Sequence, residues 1–197
     1  MDEDRTAQDL MEVELEGRRI TLPAGATVLQ LLEQENLLDR HADDPPVIAS
    51  INGRRTSLRE VLGNEDRLRL IRLRDPLAYT TVQRTVQFLA LVAAEKLFPE
   101  SPLKIDFSLG GGMYCALQRP EPMTPKEVAA LEQAMKALVD SDLRLTPQRF
   151  GMRALLKIFE RRGDTADLHA ARYLRRESMV MYTMEGSTRL YYGRQLP

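Results

Sequence analysis

Apolar and polar residues alternate with a period of two in several short stretches of the first 75 residues, with a helical period between them. In "MEVELEGRRITLP", Val13 and Leu15 alternate with glutamates, Gly17 supplies a turn, and Ile20 and Leu22 alternate again, which predicts a β-hairpin. Thr27 then stands as an N-cap before "TVLQLLEQENLL", where Val28, Leu31, Leu32 and the later leucines fall on one helical face. After Pro45 and Pro46 the strand pattern returns. "VIASING" ends in an Asn-Gly turn, and "DRLRLIRL" closes the region with Leu68, Leu70 and Leu73 as apolar positions. Between these two strands, "SLREVL" has the spacing of a short capped helix.

From Asp75-Pro76 onward the pattern changes. "TTVQRTVQFLALVAAEKLFP", Thr80 to Pro99, reads as one long apolar helix with Arg84 and Phe88 a turn apart. "SPLKIDFSLGGGMYCAL" reads as two strands around a glycine turn. In "MTPKEVAALEQAMKALVDSD", Thr124 is an N-cap, Pro125 occupies the first turn and Glu127 completes a capping box. "LRLTPQRF" is a short extended segment, "MRALLKIFERRG" a helix stopped by Gly163, and "SMVMYTMEGSTRLYYG" a hairpin about Glu185-Gly186. These elements predict an α+β chain with a flexible N-terminus over residues 1–10, a first domain over 11–75 and a second over 76–197.

Charge sharpens that division. The net charge of −1 argues against a DNA-coating protein, but residues 1–75 hold 11 Arg against 16 Asp or Glu. The remainder is positive, much of its excess lying in "RLTPQRFGMRALLKIFERRG" and "ARYLRRES", which reads either as a phosphate-facing patch or as a solvated arginine surface. One cysteine, Cys115, rules out an intrachain disulfide. With only His41 and His169 beside it, too few soft ligands remain for a zinc site. Glu95 and Lys96 interrupt the longest apolar run before it reaches the roughly eighteen residues of a membrane span. The acidic start is unlike a signal peptide, so no membrane association and a cytoplasmic location are expected.

The first half, strand, strand, helix, strand, short helix, strand, has the order of a β-grasp module. "ITLPAGATVLQLL" followed by "VIASINGRRTSLREVLGNEDRLRLI" resembles a TGS domain, the small β-grasp unit of threonyl-tRNA synthetases, certain GTPases and stringent-response enzymes. The second half resembles the second N-terminal domain of threonyl-tRNA synthetases, which alanyl-tRNA editing proteins share. Its marks are the helix ending "KLFP", the "G-x-x-Y" hairpin and the "T-x-x-E-V-x-x-L-E-x-x-M" helix. The same pair of domains fronts uridine kinase-like proteins. That resemblance implies a longer protein continuing past Pro197, with a contact to a C-terminal kinase domain and with ATP and Mg as its cofactors.

In the synthetase and editing relatives the long helix carries a His-x-x-x-His pair and the closing hairpin a Cys-x-x-x-His pair. Aligned on "KLFP", the helix positions hold Arg84 and Phe88. Aligned on the glycine and final proline of "LYYGRQLP", the hairpin positions hold Tyr191 and Gln195. Arginine offers no lone pair to a metal and phenylalanine has none, while tyrosine and glutamine are poor zinc ligands at neutral pH. The resemblance therefore implies a metal and editing site that has been lost, with no catalytic residue and no cofactor in this stretch. Two readings of the remnant stay open. Arg84, Tyr191 and Gln195 suit a nucleotide or an RNA end, or Phe88 plugs the old cleft while Arg84 pairs with an acid at its rim. Asp106 and Tyr114 flank the glycine turn and are candidates for the cleft border. "SLGGGMYC" lacks the Gly-Lys-Ser/Thr ending and the helix N-terminus of a phosphate loop. The functional expectation is a non-catalytic nucleotide- or RNA-binding regulatory portion of a uridine kinase-like protein. The alternative is an aminoacyl-tRNA editing hydrolase or a threonyl-tRNA synthetase-related piece working with non-metal groups. A third possibility is a pure interaction module, its acidic first lobe docking a basic partner.

Overall fold

Alternation in the first 75 residues is resolved by a sheet with one greasy and one charged face. In the computed structural model, the described residues are 9–39, 42–163, 165–174, 176–184 and 187–190; for 162, 166, 167, 170 and 187–190 the backbone alone is described. The architecture is α+β, in two compact units that divide between Thr85 and Val86.

In the first unit, β1 (Leu10–Leu15), β2 (Arg18–Pro23), β3 (Pro46–Ile51), β4 (Arg54–Thr56) and β5 (Arg67–Arg72) form one mixed sheet in the order β2-β1-β5-β3-β4. Only β1 and β5 run parallel. Two tight hairpins turn through residues of positive φ, Glu16-Gly17 at 49° and 88° and Asn52-Gly53 at 50° and 80°. Such paired left-handed positions match the right-handed twist of the flanking strands. Helix α1 (Val28–Gln34) lies on one sheet face, where Val28, Leu31 and Leu32 meet Val13, Leu15, Leu22, Leu68 and Leu70. Thr27 and Gln30 close a reciprocal capping box at its start.

"SLREVL" is not a helix. Its main chain is spent on α1 instead: the Val28 and Leu29 N–H groups donate to the Glu60 and Leu58 carbonyls, and Leu62 N–H donates to Ala26 O. The first N–H groups of any helix lack intrahelical acceptors, and this segment supplies two of them. Ser57 Oγ accepts from the Arg59 N–H and holds the chain to a single turn, while Leu58 and Leu62 enter the core. Propensity favoured a helix; the needs of α1 overrode it.

Helix α2 (Pro76–Leu97) starts four residues earlier than its apolar pattern suggests, because the Asp75 carboxylate accepts the Leu77 N–H and Pro76 needs no donor partner in the first turn. Its first turns place Ala78 and Val82 over Ile48 and Ile71, covering one end of the other sheet face.

The second unit takes the rest of α2, a hairpin of β6 (Leu103–Leu109) and β7 (Gly112–Leu117), and helix α3 (Pro125–Asp140). An antiparallel sheet in the order β10-β9-β8 completes it, built from β8 (Thr146–Gly151), β9 (Ser178–Met184) and β10 (Ser187–Leu190). Helices α4 (Met152–Arg162) and α5 (Thr165–Tyr173) stand between β8 and β9 in the chain. Gly163, at φ 70°, ends α4 as its sequence suggests. One core joins Phe88, Val92, Leu103, Leu117, Leu131 and Leu138; a second gathers Leu155, Phe159, Ala171 and Met181.

The start of α3 is pinned by charge. Glu127 accepts from the Thr124 N–H at 2.8 Å and from Arg119 through both carboxylate oxygens at 2.9 and 2.8 Å. The Thr124 backbone bond, then Arg119 and the Thr124 hydroxyl, bring the Glu127 carboxyl down to about 2. Because the folded value lies below the unfolded one, this stabilisation is complete above the ordinary carboxylate range and is lost as pH falls toward 2. Urea midpoints followed from pH 6 to pH 2 should therefore converge for the native chain and Glu127→Gln at the acid end. Parallel curves would contradict the pairing. Thr124→Ala should cost about 1 kcal/mol at neutral pH in the same measurement.

Candidate functional site

Arg84 and Phe88 lie one turn apart on α2 and meet different surroundings. Phe88 is 0 % exposed, packed in the core of the second unit with Val92, Leu103 and Leu117. Arg84 is half-buried and makes no hydrogen bond or ion pair among the described residues. A long aliphatic stem along apolar surface with its guanidinium toward water is the usual compromise for such a residue. The neighbouring Thr81 and Thr85 are buried, with the Thr85 hydroxyl donating to the Thr81 carbonyl at 3.0 Å. Tyr191 and Gln195, the other two positions of the matched set, lie outside the described residues, as does His41.

The β6–β7 hairpin brings its two candidates into separate local contacts. Asp106 is exposed and paired with Lys104 Nζ at 3.0 Å. Tyr114 stacks on Phe107, ring centroids 5.1 Å apart and planes 10° from parallel, where a shift in register between Ile105 and Ser108 lets both rings share one outer surface. The glycines form the turn between two strands, as the sequence indicates. Cys115 is half-buried, and burial raises its thiol above the ordinary value, so the reactive thiolate is disfavoured. His169 is exposed on α5. Among the described residues, no three His, Cys, Asp or Glu side chains are grouped to hold a metal.

Three arginines of the stretch after Arg144 are engaged within it. Arg149 donates to Ser178 Oγ at 3.1 Å, Arg161 to the Lys157 carbonyl at 3.2 Å, and Arg172 pairs with Glu160 at 3.5 Å. A different basic feature stands on the first unit. An open basin of about 850 Å³ is lined by Arg55, Arg67 and Arg69 together with Ser50, Ile71 and Leu77. Arg55 and Arg69 both sit opposite Ser50 across the ladder, so the three residues form a row on one face. The acidic balance of residues 1–75 concealed this concentration. The signal was in "RLRLIR", where each arginine alternates with a residue committed to the core. A second concavity of about 450 Å³ in the second unit is apolar, lined by Val86, Leu89, Val128, Leu131, Met135 and Val139.

These features define a two-unit α+β chain with a basic basin on its first unit and, at the helix positions matched to a ligand pair, one buried aromatic ring and one half-buried arginine. Among known proteins the chain is similar to threonine–tRNA ligases. It is 23 % identical over 171 residues to that of Maricaulis maris, covering 87 % of this chain and 26 % of the ligase. The ligase of Citrifermentans bemidjiense is 21 % identical over 182 residues, 92 % of this chain and 28 % of the relative. That of Rickettsia bellii is 26 % identical over 118 residues, 60 % of this chain and 19 % of the relative. No protein-family model matches. The chain is thus threonyl-tRNA synthetase-like and spans about a quarter of the length of the ligases it matches. These relatives lend no support to the expected uridine kinase context and favour the synthetase-related alternative. Among the described residues, no helix is long and apolar enough to cross a membrane.

Phe88→Ala should cost about 3–5 kcal/mol of unfolding free energy, whereas Arg84→Ala should stay within about 1 kcal/mol. Equilibrium urea unfolding of the two variants distinguishes a core ring from a solvated cation.

Proposed function

We propose that this chain is a non-catalytic, RNA-binding part of a threonyl-tRNA synthetase-like protein, a TGS β-grasp domain followed by the synthetase's second domain. The observation that carries the reading is the similarity to threonine–tRNA ligases over as much as 92 % of the chain, reaching across both units. The sheet order β2-β1-β5-β3-β4, with β1 parallel to β5, supports the β-grasp assignment of the first unit. The burial of Phe88 supports a scaffold kept without its chemistry, since a ring packed on all sides offers nothing to a metal or an ester. In this reading Arg84 holds a phosphate or the end of an RNA strand, and Tyr191 and Gln195 are ligand candidates by their matched positions in the sequence alone. The protein works in the cytoplasm, and the kinase context is set aside.

The test is binding of labelled tRNA to the purified chain, followed by fluorescence anisotropy, beside an assay for deacylation of aminoacyl-tRNA. A charge-assisted hydrogen bond contributes about 1.5–3 kcal/mol, so Arg84→Ala should weaken binding about tenfold or more. No deacylation should accompany it. Deacylation that disappears in Tyr191→Phe or Gln195→Ala would replace this reading with an editing hydrolase. Absence of tRNA binding at high protein concentration would overturn it.

A further inference from the structure

The basin on the first unit has features that the fold does not require. Ile48 and Ile71 share its sheet face, and there the first turns of α2 cover them with Ala78 and Val82. Farther along the same face the cover stops, and Arg55, Arg67 and Arg69 stand open around Ser50. Three like charges on neighbouring strands oppose folding unless something of opposite sign meets them.

The acids nearby answer only in part. Glu14 approaches Arg67 Nε at 3.7 Å, and Asp75 approaches an Arg69 terminal nitrogen at 3.6 Å. Both separations are longer than a hydrogen bond, and the arginine side chains remain 78 % and 67 % exposed. Among the described residues, the acids orient the two guanidinium groups without consuming their donors. Arg55 is anchored from the other side, one terminal nitrogen donating to the Leu77 carbonyl at 3.3 Å. Asn52 is committed, accepting from the Arg67 N–H and donating to Asp66, so it fixes the Asn-Gly turn at the rim and takes no ligand.

We propose that this basin binds the phosphate groups of a nucleotide, either free or within an RNA strand. The guanidinium fork matches phosphate oxygens two at a time, which an ammonium group cannot do. Ser50 adds a hydroxyl on the floor, and Leu77, which is exposed, gives the basin an apolar margin that suits a base or ribose beside the phosphates. The site stands on the first unit alone. It does not depend on the assignment of Arg84 or on the tRNA reading.

The experiment uses the full 197-residue chain with three probes at physiological ionic strength. Inorganic tripolyphosphate and ATP are titrated by calorimetry, and a short single-stranded RNA by anisotropy. The double variant R67Q/R69Q should weaken every bound probe about tenfold or more, and R55Q should weaken each in the same direction. The control R149Q/R153Q, which removes the same charge from the second unit, should change binding less than about twofold. Since these side chains are exposed, unchanged circular dichroism and melting temperature will show that the fold survives. Tripolyphosphate and ATP binding without RNA assigns the site to a free nucleotide; RNA binding with the same variant dependence assigns it to the strand. Failure of all three probes, or equal losses in R67Q/R69Q and R149Q/R153Q, would overturn the proposal. If tripolyphosphate binds here and tRNA does not, this site stands and the tRNA reading falls.

Discussion

The two-sidedness of β5 organises the first unit. Leu68 and Leu70 point into the core against α1, where burying each leucine contributes about 1.5–3 kcal/mol to a small domain. A strand that sends those residues inward has to send Arg67 and Arg69 outward. Ser50 faces Arg69 on one side and Arg55 on the other, so the register that seats the leucines also lines up the basic row. A slip of one residue would bury the arginines and expose the leucines together, which is why the core and the charged face cannot be specified separately.

Helix α2 carries a second constraint of this kind. Its early residues cover Ile48 and Ile71 in the first unit, while Phe88 and Val92 enter the core of the second. Between Thr81 and Ala94 every position but Val86 is buried or half-buried. Arg84 is one of those that keeps some exposure. At Phe88 the packing requirement and any former chemistry compete for a single side chain, and packing has it.

Much of this was legible in the chain. Asn52-Gly53, the Thr27 and Thr124 caps and the Gly163 stop are local devices whose chemistry is written in adjacent residues, and the structure uses each as its type demands. "SLREVL" departs from its local helical pattern because its role is set by a distant partner, the unsatisfied start of α1, which no local pattern announces. The arginine basin escaped for a related reason. Net charge sums over a region, while β-sheet geometry sorts charges by face and gathers Arg55 and Arg69 from segments well apart in sequence. At the candidate site, Arg84 and Phe88 stand on one helix a turn apart, as their spacing indicates, and only Arg84 is accessible.

Backbone chemical-shift mapping of the ¹⁵N-labelled chain with a short single-stranded RNA tests most directly whether this synthetase-like scaffold has become a binding surface. The account predicts perturbations concentrated at Ser50, Asn52, Gly53, Arg55, Arg67 and Arg69, with a further shift at Arg84. Perturbations confined to the arginine-rich stretch after Arg144, or none at saturating RNA, would contradict the scaffold's reading as an RNA-binding surface.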